Sequence, residues 1–159
     1  MTRARTRLAH GAATLAVTGA LMCGTGTASA APSVQAAACG TTLASWTGAE
    51  DAASFELKQD YTTENGVYPR TFTLELKQGA VTGKLFMEKG AKTFPLEESK
   101  YNSRNVHKNT LELNVLVKAE DDEFPEFLPL AATECDANGQ VTKAYMTHQD
   151  GNGHAVRTS

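Results

Sequence analysis

The sequence predicts an all-β fold: a small antiparallel barrel of about eight up-and-down strands, or a sandwich, held by one disulfide. Three observations carry this. Apolar residues alternate with polar ones over several short runs, most regularly from Thr110 to Lys118. Gly, Asn and Asp punctuate the gaps between these runs. No stretch longer than about ten residues shows helical periodicity.

The chain has 159 residues, and its first thirty read as an address rather than a fold. Arg3, Arg5 and Arg7 form a positive start, and an uncharged Ala-, Leu-, Val- and Thr-rich stretch follows from Gly11 to Gly24. Ala28-Ser29-Ala30 then supplies small residues at the positions a signal peptidase reads, which places the cut after Ala30. The apolar stretch is too short for the roughly 20 residues of a membrane-spanning helix, so no membrane span is expected. The organisation is therefore a signal peptide over 1–30, a lead-in over 31–38, and one antiparallel β domain over 39–159. The expected location is extracellular.

Loss of the three arginines leaves 12 Lys and Arg against 18 Asp and Glu, a net charge of about −6. Such a charge disfavours nucleic acid and anionic membrane surfaces as partners. Cys23 leaves with the signal, so Cys39 and Cys135 remain as a pair in an oxidising compartment, where a disulfide is expected.

Along the domain, Phe55 and Leu57 alternate with Ser54, Glu56 and Lys58. Asn65-Gly66 and Val67-Tyr68-Pro69 read as the gap before the next strand, where Phe72, Leu74 and Leu76 alternate with Thr71, Thr73, Glu75 and Lys77. Gln78-Gly79 turns into a strand with Val81, Gly83, Leu85 and Met87 on one face, and Phe94 and Leu96 follow the Lys89–Lys92 turn. Asn102 to Asn109 reads as a polar loop. Leu111, Leu113, Val115 and Val117 then face inward, with Leu116 as an apolar exception on the outer face. Glu120 to Glu123 is an acidic loop. Pro125 and Pro129 argue against a central strand and for an edge or crossing segment. Asn138-Gly139 marks a hairpin before Val141 to His148, and Asp150 to Gly153 a further turn before a short final strand.

At Ala44-Ser45-Trp46-Thr47-Gly48, followed by Phe55 and Leu57, the chain resembles the opening of lipocalin-type and avidin-type barrels. Val81-Thr82-Gly83-Lys84-Leu85 is also similar to them. The resemblance implies a secreted barrel with Trp46 on its first strand, closing the floor. Ala44 stands where those families usually have Gly, and Trp46 is the only Trp, whereas avidin-type sites use several. Only Trp46 is carried over, as a structural residue.

Catalytic patterns are missing: there is neither Gly-x-Ser-x-Gly nor His-Glu-x-x-His. Glu56, Glu75 and Glu112 lie on strands but point away from the apolar face, which does not suit paired-carboxylate hydrolysis. His148, Asp150 and His154 would suit a metal if a turn brought them together, but flanking a hairpin is the simpler reading, and no metal or cofactor is assigned. Glu120 to Glu123 and Asp136-x-Asn138-Gly139 read as a solvated loop and a turn rather than calcium sites. The inward-facing set contains no placed polar group, so no ligand-binding residue is assigned.

The expected function is thus a secreted, non-catalytic binding domain, with a small apolar ligand in the barrel interior. The alternative is a protein-interaction or inhibitor domain presenting the 120–129 loop to a secreted protein, with Phe124, Pro125 and Phe127 as the candidate contacts.

Overall fold

The computed structural model describes residues 38–48, 52–77, 80–100 and 104–159, so the expected signal peptide and most of the lead-in lie outside the described residues. The described chain forms a short helix, α1 (Leu43–Thr47), and nine strands. They are β1 (Ala52–Thr63), β2 (Gly66–Lys77), β3 (Ala80–Met87), β4 (Lys92–Glu98), β5 (Arg104–His107), β6 (Thr110–Lys118), β7 (Glu123–Cys135), β8 (Val141–His148) and β9 (Gly151–Arg157).

Every pairing is antiparallel, and each long strand lies beside its sequence neighbour. β1 pairs with β9, and β4 pairs with β6, so the sheet closes into a ring. β4 and β5 share one edge of β6: β4 meets Val115–Val117 and β5 meets Thr110–Leu113. They therefore act as one interrupted stave, and the ring has eight staves in up-and-down order. Closure removes most of the exposed edges that an open sheet of this length would offer to other chains.

The alternation that predicts the strands also fills the barrel. In β6 every second residue, from Leu111 to Val117, is buried. Phe55, Leu57, Phe72, Leu74, Leu113, Leu128, Leu130 and Met146 all have 0% of their surface exposed. A void wide enough for water would leave accessible area on the side chains lining it. The central core is therefore packed rather than hollow, and each large apolar side chain in it contributes about 1.5–3 kcal/mol.

One end of the barrel is plugged. Thr42 caps α1, accepting from the Ser45 backbone N–H, and Gly48 ends the helix. The fully buried Trp46 donates from Nε1 to the Gly40 carbonyl at 2.8 Å and packs 6.0 Å from the Phe55 ring. The Cys39–Cys135 disulfide ties the chain just before this helix to the end of β7. Trp46 is buried at this end on a helix, not on the first strand.

Several boundaries move. Val67-Tyr68-Pro69 belongs to β2, with Pro69 opposite Asp60, because the hairpin with β1 continues through twelve pairs to Thr63↔Gly66. Arg104–His107, expected within a loop, forms β5 because β6 offers it an unfilled edge. Residues 120–129 are not one loop. The loop ends at Asp122, and Phe124, Pro125 and Phe127 stand on β7. Residues 123–129 of β7 pair with β6 but not with β8, whose ladder with β7 begins at Leu130↔Met146. Both prolines thus sit where one side of the strand needs no donor. Leu116, the outer-face exception, is half-buried between Glu97 and Pro125 on its neighbouring strands. Asp136 organises the expected hairpin, its Oδ1 accepting from the Asn138 and Gln140 N–H groups at 2.9 Å each.

Gly83, in the middle of β3, has φ +146°, and a Cβ there would lie 1.8 Å from the Thr73 carbonyl oxygen on β2. No side-chain rotation relieves a clash with backbone. Gly83→Ala is expected to cost about 2–3 kcal/mol in a urea unfolding titration, from strain and displaced backbone together. A loss below 0.5 kcal/mol would mean that β2 and β3 separate at no cost.

Candidate functional site at the open mouth

Alternation does not stop where the apolar residues do. Two residues beyond Leu57 the inward position is Gln59, two before Phe72 it is Arg70, and two before Leu128 it is Glu126. All three sit at the end of the barrel opposite Trp46, and the structure brings them together. Arg70 donates from Nη1 and Nη2 to the two carboxylate oxygens of Glu126, at 2.7 and 3.0 Å. Its Nε donates to Gln59 Oε1 at 2.7 Å, and Gln59 Nε2 donates to the Gly151 carbonyl at 3.3 Å. The guanidinium carbon lies 4.2 Å from the Tyr61 ring centre and 4.9 Å from that of Phe72.

This pair has an unusual position. β2 and β7 are four staves apart in either direction around the ring, so Arg70 and Glu126 meet across the diameter of the barrel. The Arg70 side chain is 3% exposed and that of Glu126 16%. The bar they form separates the packed core from the solvent at the mouth. A bidentate guanidinium–carboxylate pair suits this place, because its planar geometry satisfies both partners where water is largely excluded.

On the outer side of the bar lies a cleft of about 400 Å³. Leu85, Met87, Phe94 and Phe124 form its apolar wall, and Tyr61 flanks the bar. Lys89 and Lys92 stand at its rim. Lys89 is held over the Tyr68 ring, 4.2 Å from its centre, and donates to the Tyr68 hydroxyl at 3.2 Å. A volume of this size, an apolar wall and a few fixed polar groups are what a small-molecule site requires. The expectation that the inward set lacks placed polar groups is therefore corrected. Gln59, Arg70 and Glu126 supply them, and extending each alternating run by one inward position would have found them.

The other candidates do not gather. Phe124 faces the cleft, whereas Phe127 is 40% exposed on the outer face, edge-on to His148 with ring centres 6.2 Å apart. Pro125 is exposed beside it. His148 Nδ1 lies 3.3 Å from an Asp150 carboxylate oxygen, but His154 packs against Tyr145, with tilted rings whose centres are 4.8 Å apart. Among the described residues no three His, Cys, Asp or Glu are placed to hold a metal ion. Glu56 and Glu75 pair instead with Lys58 and Lys77, two residues along their own strands. In the acidic loop region, Glu123 binds Lys118, which also lies 3.5 Å from Glu97. The hydrogen bond to Glu123, the largest influence, raises the Lys118 pKa above its ordinary value.

No helix among the described residues is long and apolar enough to cross a membrane. No family model matches the chain, and no curated protein or solved structure matches it either.

Proposed function

We propose that the chain is a secreted, non-catalytic binding domain whose ligand, a small molecule with an apolar body, sits in the mouth cleft. The observation that carries this reading is the change along the barrel axis. Below the Arg70–Glu126 bar the interior is filled, and above it an apolar wall faces solvent. A domain that needed only stability would gain by continuing the apolar packing to the mouth. The disulfide and the signal-like first thirty residues support the extracellular address. Non-catalytic is the better reading of the cleft, since both oxygens of its one carboxylate are taken up by hydrogen bonds from Arg70.

Native mass spectrometry of the protein purified from its producing culture tests this. The expected result is a mass above that of residues 31–159 with one disulfide, with the excess lost in Phe94→Ala/Phe124→Ala. A bare mass in every preparation would count against a tightly held small ligand.

A second reading has its own observation. Phe127 and Pro125 are exposed on the half of β7 that has a strand partner on one side only, a place where a protein partner can dock. The two phenylalanines separate the readings because they face opposite ways. Phe127→Ala should change stability by no more than about 0.5–1 kcal/mol, as expected for an exposed side chain. It should leave small-ligand binding intact, whereas Phe124→Ala should weaken it. Pull-down of a secreted partner that is lost only with Phe127→Ala would favour the interaction domain.

A further inference from the structure

The charge around the cleft differs from that of the rest of the chain, and it narrows the ligand class within the binding function proposed above. Arg70, Lys89 and Lys92 line the cleft with one acid, Glu126, so the lining carries a net charge of +2 in a chain whose formal charge is −3. Glu126 is already neutralised by its two bonds to Arg70. What remains is the pair of rim lysines.

Their surroundings set them apart from several lysines elsewhere. Lys58, Lys77, Lys118 and Lys143 each lie within ion-pair distance of a glutamate. Lys89 is bound by a tyrosine hydroxyl and ring, which position the ammonium without cancelling its charge. Lys92 has no ion pair among the described residues. It faces Met87 across the β3–β4 ladder, and two residues on, Phe94 faces Leu85. The ladder thus places a cation directly above the apolar wall, where alternation would otherwise continue with an apolar side chain. The acidic turn Glu120–Asp122 borders Lys92 across an adjoining groove, but no carboxylate of it comes within ion-pair distance.

We infer that the mouth cleft takes an amphipathic anion: an alkyl or aryl body against Leu85, Met87, Phe94 and Phe124, and a carboxylate or sulfate head at the rim against Lys89 and Lys92. The head does not go to Arg70, whose Nε and both terminal nitrogens already donate within the protein. The ligand lies across the mouth rather than down the barrel axis, because the bar and the core beneath it fill that path.

Three probes sharing one chain test the inference by titration calorimetry on the disulfide-bonded protein: decanoate, 1-decanol and decyltrimethylammonium, each below its aggregation limit. Decanoate is expected to bind about tenfold tighter than 1-decanol, a ratio within reach of two partly desolvated charge contacts, and tighter still than decyltrimethylammonium. Lys89→Glu/Lys92→Glu should abolish the preference for decanoate while leaving 1-decanol affinity within about twofold. Higher salt should weaken decanoate alone. Equal binding of decanoate and 1-decanol, or a preference for decyltrimethylammonium caused by the acidic turn, would overturn the anion assignment and leave the binding function standing. Failure of all three probes to bind would overturn the binding function itself.

Discussion

Replacing Cys39 and Cys135 together with serine lowers the unfolding free energy by about 4–5 kcal/mol in the chain-entropy model, because their bond closes a loop spanning 96 residues of sequence. The loss comes mainly from the unfolded state, which regains freedom that the cross-link denies it. Part of it also comes from the plugged end. The disulfide anchors the segment that carries Gly40 and α1, and the Gly40 carbonyl holds the indole of Trp46. The expected observation is a large fall in the urea midpoint, with the β-sheet circular dichroism of the folded state unchanged. Trp46, the only Trp, reports on its own surroundings, so its fluorescence should remain that of a buried indole below the midpoint. A loss under about 1 kcal/mol would mean that the packing of Trp46 against Phe55 closes the barrel unaided. A red-shifted spectrum in otherwise folded protein would mean the opposite, that the plug depends on the covalent tie.

How much of this was readable in advance differs along the barrel. The core half was legible because Phe72, Leu74, Leu76 and Leu111 to Val117 obey period two without exception on the inner face, and a sheet can bury such a pattern in only one way. The pairing of Cys39 with Cys135 followed from arithmetic. The fourth stave was legible only in part. Arg104–His107 is short and polar, and its strand character comes from the free edge of β6 rather than from its own side chains. Trp46 lies on a helix, not on the first strand that the resemblance implies. Five helical residues are too few to show periodicity, and what makes them a helix is the cap from Thr42 and the tertiary hold on the indole.

The mouth is hidden from the sequence for a different reason. Arg70, Gln59 and Glu126 occupy inward positions, yet each taken alone looks like an ordinary surface residue. Only their meeting makes them interior, and that meeting joins residues 56 apart in sequence, on opposite staves. Hydrophobic patterning cannot register a buried polar group, because it treats burial and apolarity as one property. The same blindness put Phe124 and Phe127 on one loop, when strand alternation sends them to opposite faces.

A double-mutant cycle on the bar has the second largest expected effect. Glu126→Ala leaves Arg70, whose side chain is 3% exposed in the parent, with no counter-charge, and should cost about 3–4 kcal/mol in urea unfolding. The 16% exposure of Glu126 places this in the lower part of the usual range, since water can partly replace the carboxylate. Arg70→Met leaves the carboxylate facing Phe124 and the apolar wall, but nearer the solvent, and should cost about 2–3 kcal/mol. Arg70→Met/Glu126→Leu removes both charges and fills the space with apolar volume continuous with Phe72 beneath it. It should come within about 1 kcal/mol of the parent, giving a coupling energy several kcal/mol in size. A double variant as unstable as the sum of the singles would show that the two residues act separately and that no bar exists. If the double variant is as stable as expected, fold stability does not explain why a charged pair spans this barrel. What the pair then supplies is a rigid polar boundary, with Tyr61 packed on the guanidinium and the apolar wall kept open above it. The double variant should therefore fold as well as the parent yet bind decanoate poorly, because Met and Leu in place of the bar would let the mouth collapse onto Met87 and Phe94.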